Sequence, residues 1–164
     1  MDKNKRDFKF DKAAARYDEG LEGKFSRKFY NLVLCEIDVA SGASVLDAGC
    51  GTGALLNKIA GICEINACGI DIEENMIAVA KNKHPDMNFQ LSPCEDIPFE
   101  DQTFDIVIAC MAYHHFADKK GFAKEAARIL KPGGGIVYCR PAFFFCCEKN
   151  FQHGFALAEI CGRV

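Results

Sequence analysis

Two stretches of this chain hold residues whose types and spacing could do chemistry. The first runs Asp47-Ala48-Gly49-Cys50-Gly51-Thr52-Gly53, directly after the apolar pair Val45-Leu46. Closely spaced glycines let backbone approach a ligand without Cβ interference. A helix beginning near Gly53 would turn its first amides toward that ligand. Read as G-x-G-x-x-A through Gly49, Gly51 and Ala54, the stretch fits a dinucleotide fingerprint, with Asp71 at a spacing suited to a ribose contact. Read as D-x-G-x-G-x-G, it puts Asp47 two residues before the first glycine. A carboxylate there would repel a pyrophosphate and suit a cationic, amino-acid-bearing ligand. On these residues alone a nicotinamide dinucleotide stays open. The second stretch is His114-His115, an imidazole pair that could supply a general base near neutral pH. A purely structural role for one of the two is the competing reading.

The elements that must position these residues alternate along the chain. Ser44–Ala48, Ile65–Ile70, Met87–Leu91, Phe104–Cys110 and Ile136–Cys139 read as short strands, most of them nearly continuous in apolar residues. Between them, 54–60, 73–82 and 118–130 have helical spacing, the last stopped by Lys131-Pro132-Gly133-Gly134-Gly135. Strand–helix alternation predicts an α/β fold: a Rossmann-like, doubly wound, mostly parallel sheet of five strands in the order 3-2-1-4-5. Both chemical stretches then fall at the carboxyl ends of strands, where open α/β sheets bind ligands. Two helices, roughly 11–19 and 24–39 with Gly20 and Gly23 as hinge, form an N-terminal cap. The expected organisation is one domain: cap 1–40, core 41–141 and a C-terminal helix within 142–164.

Composition narrows the function classes. With 164 residues, 49% hydrophobic and 26% charged, the chain can bury a core of its own. A formal charge of −3 leaves no electrostatic footprint for nucleic acid or an anionic membrane. The charged start and the lack of a long apolar run predict neither signal peptide nor membrane span, hence a cytoplasmic protein. Ten cysteines include no C-x-x-C pair and no zinc-like Cys/His spacing, so reduced thiols and no metal are expected.

A family resemblance rests on several motifs in order. Asp47-Ala-Gly-Cys-Gly-Thr-Gly53 resembles the first motif of class I S-adenosylmethionine-dependent methyltransferases of the small-molecule type. The match continues through Gly69-Ile-Asp71-Ile72, Glu95-Asp-Ile-Pro-Phe99, Phe104-Asp105, His114-His115-Phe116 and Glu125-Ala-Ala-Arg128-Ile-Leu-Lys-Pro-Gly-Gly134. The lead-in Phe10-Asp11 to Tyr17-Asp18 is similar as well. What the resemblance implies is S-adenosylmethionine as cofactor and methyl transfer to a small-molecule acceptor. It also implies a set of roles. Gly49, Cys50, Gly51 and Gly53 would hold the methionine part, Asp47 would sit near its amino group and Tyr17 would close over its carboxylate. Asp71 would accept from both ribose hydroxyls, Ile72 and Met76 would line the adenine, and the Cys94 amide would meet the ring, with Glu95 and Cys110 completing the set. His114 or His115 would act as base where the acceptor must lose a proton.

The chain departs from the family pattern in two places. Pro93 stands where an adenine-binding acid is usual, leaving Ser92 or Glu95 as substitutes. Only the residues after Pro141 remain to follow the fifth strand, where the family fold goes on to complete seven strands. An exposed fifth-strand edge is therefore expected, inviting a homodimer or burial by Phe143 to Cys147. A cofactor-binding module without catalysis, or a partner subunit, is the alternative these departures raise. Glu125 and Arg128, three apart on a helix, read as a surface ion pair of small weight.

Overall fold

The computed structural model describes residues 14–139 and 145–148. The lead-in at Phe10-Asp11, the apolar segment at Phe143-Phe144 and the span 149–164 lie outside the described residues. A 3-10 helix, Ala14–Glu19, leads into α1, Leu21–Glu36. The core then runs β1 (Ala43–Ala48), α2 (Ala54–Ala60), β2 (Ile65–Asp71), α3 (Glu74–Lys83), β3 (Asn88–Leu91), β4 (Phe104–Cys110), α4 (Lys119–Ile129), β5 (Leu130–Cys139) and β6 (Phe145–Glu148).

Successive strand residues point to opposite faces, and two cores divide along that alternation. Leu46, Val107 and Ile136 join Phe122 and Ile129 of α4 on one face. Their neighbours Val45, Ile108 and Val137 join Val33 of α1, Leu56 and Ile59 of α2 and Ile77 of α3 on the other. Each such fully buried side chain contributes about 1.5–3 kcal/mol. Continuous apolar strands are therefore what a sheet covered on both faces requires.

The five parallel strands pair in the expected order, β3-β2-β1-β4-β5. At the far edge a sixth strand bears out the second of the two expected outcomes, burial by the segment that includes Phe145 to Cys147. β6 pairs antiparallel with β5, from Cys139 opposite Phe145 to Ile136 opposite Glu148. The C-terminal helix expected within 142–164, at about 148–161, falls almost wholly outside the described residues. The exposed fifth-strand edge, which was the physical reason for a homodimer, is covered by the chain's own backbone.

Smaller corrections follow local physics. β5 begins directly at Leu130, and its register against β4 shifts between Phe104 and Ile106, which absorbs the glycine-rich 131–134 as a bulge. Lys131 Nζ donates to Asp105 Oδ2 at 2.8 Å, and the Ser44 amide donates to the same oxygen, pinning that bulge to the start of β1. Gly23 is no hinge. It lies inside α1, where an added Cβ would fall onto the Tyr17 carbonyl, so it lets the 3-10 helix pack tightly on the helix.

Candidate functional site

The carboxyl ends of β1 and β2 meet at the glycine loop. Gly51 N–H donates to Asp71 Oδ2 at 2.8 Å, and the amide of Glu73 donates to Asp71 Oδ1 at 2.9 Å. Asp71 therefore spans the two strand ends while closing the turn that leads into α3, whose N-cap is Glu73. Burial raises the pKa of Asp71, and hydrogen bonds from the Glu73, Gly51 and Ile72 amides pull it part of the way back. Asp47 is also buried, at 3% exposure.

The loop's glycines serve different ends. An added Cβ at Gly49 would strike Ala112, so this glycine lets the loop pack on the segment after β4. Gly51, at φ +52°, has open space where its Cβ would be and is the point at which a ligand could approach backbone. Four amides of the loop itself are engaged within the fold. Gly49 and Cys50 donate to the Ile70 carbonyl, Gly51 to Asp71, and Gly53 to the Cys50 carbonyl.

Ile72 lies at the crevice rim with 68% exposure, an apolar surface left uncovered, whereas Met76 is packed in the interior. Cys94, after β3, is buried too, and burial pushes its thiol far up in pKa. The same cause, with the Asp47 and Asp71 charges adding to it, keeps the Cys50 thiol protonated. Glu95 is half-buried beside Gly121 at the start of α4. Of the two substitutes for an acid at position 93, Ser92 is committed to its own loop. Its hydroxyl donates to the carbonyls of Asp96 and Pro93, at 2.6 and 3.1 Å.

Beyond β4, Cys110 is buried at the strand end, and Met111 takes φ +57°, a left-handed conformation uncommon for a residue with a side chain. A short 3-10 helix follows, Tyr113–His115, which sets the His114 and His115 rings 3.9 Å apart between centroids. Met111, His114 and His115 form one wall of a cavity of about 590 Å³, and Tyr17, Leu21, Glu22, Lys24, Phe25, Ser26 and Lys28 of the cap form the other. This lies within the roughly 300–1,000 Å³ of small-molecule sites. No group of three His, Cys, Asp or Glu among the described residues is placed to hold a metal. No helix among them is long and apolar enough to cross a membrane.

The cap is tied to the crevice by residues that the motifs did not single out. Asp18 accepts from Thr52 Oγ1 of the glycine loop at 2.8 Å and from Lys83 Nζ of α3 at 2.5 Å, while its carbonyl accepts from the Arg27 guanidinium. Tyr17 shares a hydrogen bond of 3.4 Å with Ser26. Burial raises its pKa, and the nearby charges of Glu22, Asp18 and Asp71 raise it further. Tyr30, on α1, is likewise held protonated by burial and then by Asp47. Two tyrosines thus stand over the acidic crevice. Tyr30 sits on the cap helix's apolar stripe, and its nearness to Asp47 is a tertiary fact with no local sequence signal.

Glu125 and Arg128 are more than a surface pair. Arg128 donates to the carbonyls of Ile97 and Phe99 and to Asp101, and Glu125 accepts from the Ile97 amide. Together they clamp the loop after β3 onto α4.

Comparison with known proteins places these features in a wider set. Residues 46–138 match the family model described as a methyltransferase domain. The ubiquinone/menaquinone biosynthesis C-methyltransferase UbiE of Geotalea daltonii is 32% identical over 139 residues, 78% of this chain and 59% of that protein. The demethylmenaquinone methyltransferase of Staphylococcus saprophyticus is 40% identical over 132 residues, covering 73% and 56%. Among solved structures, a chain from the complex between the Haloferax volcanii Trm112 methyltransferase activator and a methyltransferase aligns with a TM-score of 0.71 at 31% identity, covering 79% of this chain and 59% of that one. The present chain spans a little over half the length of each of these.

Proposed function

The chain belongs to the methyltransferase-domain family, and from that premise we propose that it binds S-adenosylmethionine and transfers the methyl group to a small-molecule acceptor. Membership decides against the nicotinamide alternative that the glycine spacing left open. The residues fit the cofactor implied. Two buried carboxylates, Asp47 and Asp71, suit a ligand with a positive sulfur and an ammonium group. The backbone at Gly51 leaves room for one. Asp71 already accepts from three amides and retains about one acceptor site for a ribose hydroxyl. Ile72 supplies an uncovered apolar surface for a flat ring.

The observation that carries this reading is the position of Tyr17. It lines the 590 Å³ cavity, and its chain neighbour Asp18 is hydrogen-bonded to Thr52 of the glycine loop. Cofactor crevice and acceptor cavity therefore adjoin at this turn of the cap, which is what a transfer between two small molecules needs.

S-adenosylmethionine would supply a methyl group already activated on a sulfonium. The protein's share is approach geometry and exclusion of water. The cap, held by Asp18 on Thr52 and Lys83, closes one side of the space, and Tyr17 and Tyr30 face the crevice from it. His114 or His115 takes a proton from the acceptor where its nucleophile must first be deprotonated. The place of action on this reading is the cytoplasm, in keeping with the free thiols of Cys35, Cys50, Cys63, Cys68, Cys94 and Cys110. The acceptor is a small molecule, with no role for nucleic acid or membrane.

Calorimetry with S-adenosylhomocysteine tests the reading. Asp71→Ala should weaken binding by about 1–3 kcal/mol, the scale of a lost charged hydrogen bond. In the parent chain, affinity should fall on acidification sooner than for an ordinary carboxylate, because the raised pKa of Asp71 protonates it at higher pH. Undiminished binding by the Asp71→Ala chain would remove the ribose assignment. Tight product binding without turnover on any acceptor would reduce the chain to a binding module.

A further inference from the structure

The cavity under the cap has a charge pattern opposite to that of the crevice beside it. Three carboxylates, Asp18, Asp47 and Asp71, gather around the glycine loop, with Lys83 paired to Asp18. The cavity wall instead carries Lys24 and Lys28, with one carboxylate among the described residues, Glu22, and His114 and His115 opposite. Lys24 and Lys28 stand four apart on α1, so their side chains share a helix face and can meet one group together. Neither side-chain ammonium enters a hydrogen bond or ion pair among the described residues. The whole chain is acidic, at −3, so a basic wall here is a local feature rather than background.

The apolar part of the lining comes from Leu21, Phe25 and Met111. Phe25 is 44% exposed although it stacks edge-to-face on Phe29 at 5.2 Å, so an aromatic surface remains open toward an occupant. An aromatic wall flanked by two uncommitted cations fits a ligand with a flat apolar body and one negative group. A cationic acceptor would meet like charge from both lysines and from the sulfonium across Tyr17.

We propose that the cavity selects acceptors bearing a carboxylate or comparable anion on an apolar ring body, with Lys24 and Lys28 as the specificity-determining residues. This rests on reading the cavity as the acceptor site of the proposed methyl transfer. The lysines hold the anionic end, Phe25 and Met111 hold the ring, and the nucleophile is left on the side of the His pair and Tyr17.

The test titrates 2-naphthoate and its neutral amide, 2-naphthamide, into the full chain by calorimetry, with and without saturating S-adenosylhomocysteine. The naphthoate should bind roughly tenfold more tightly, the combined weight of two exposed charge pairs. The gap should narrow as salt is raised and close in a Lys24→Gln, Lys28→Gln double variant, whose matched thermal melt checks that it folds. Equal affinities in the parent chain, a gap that survives the double substitution, or no binding of either probe would each overturn the proposal. The product isotherm is read separately. Its absence with the naphthoate preference intact would defeat the methyl-transfer reading alone, and its presence without that preference would defeat only this one.

Discussion

The crevice at the ends of β1 and β2 and the cavity under the cap lie side by side, yet they are held in very different ways. In the crevice, backbone does most of the holding: Gly49 and Cys50 donate to the Ile70 carbonyl and Ser92 N–H donates to the Asp71 carbonyl, with the Asp71 carboxylate taking the Gly51 amide. The cavity is bounded on one side by a 3-10 turn and a helix, anchored through the side chains of Asp18, Thr52 and Lys83. Main-chain bonds between strands are replaced only by refolding, whereas side-chain bonds can be remade with new partners. One half of the site is thus set by the fold itself. The other half is open to change by substitution without endangering the sheet, which is how a single scaffold can take different acceptors.

The comparison can be broken most severely at Gly49. A Gly49→Ala chain would collide with Ala112 and force φ +77° on a residue with a Cβ. The expected loss is about 2–5 kcal/mol of stability in urea unfolding. A loss as small as that of an ordinary surface change would mean the crevice is not fixed by backbone.

Next comes Arg128→Ala, which leaves the carbonyls of Ile97 and Phe99 and the Glu125 carboxylate without their guanidinium. It should cost about 1–3 kcal/mol. The hydrogen bond from Arg128 holds Glu125 below the usual carboxylate pKa. Its stabilising contribution is therefore complete above the ordinary glutamate range and is lost as pH falls through the lowered value. The variant should lack that part of the acid-side loss, as followed by thermal melts across pH.

The smallest effect belongs to the cap. Thr52→Val removes one donor to Asp18 and should cost about 0.5–1.5 kcal/mol. Amide exchange in the first turns of α1 should speed up while β1 and β4 stay protected. Equal acceleration in the strands would show that cap and crevice open as one unit.

How much of this could be read from residues follows from where the information sits. The five parallel strands were legible because most are short apolar runs and β3 alternates, and Asp71 was legible because it ends one of them. The glycines were visible as a cluster, but not their division of labour. That Gly49 meets Ala112 while Gly51 faces open space depends on a segment some sixty residues away. Arg128 looked like half of an i, i+3 pair because its carbonyl partners, Ile97 and Phe99, carry no side-chain signature. The early start of β5 at Leu130 was hidden by Pro132 and the glycines after it, which signal a turn and instead form a bulge. Strand β6 was missed for a related reason: four residues hold too little alternation to declare a strand until β5 is there to pair with it.

The sheet's arrangement also bears on how the molecule behaves in company. Its long strands, β2 and β4 at seven residues and β5 at ten, are enclosed, while β3, on the flank beside β2, has four. A stretch of four offers an incoming chain few bonds in return for the freedom it gives up. Crowded copies would find little to zip onto there, so fibre growth by strand addition is blunted at that flank.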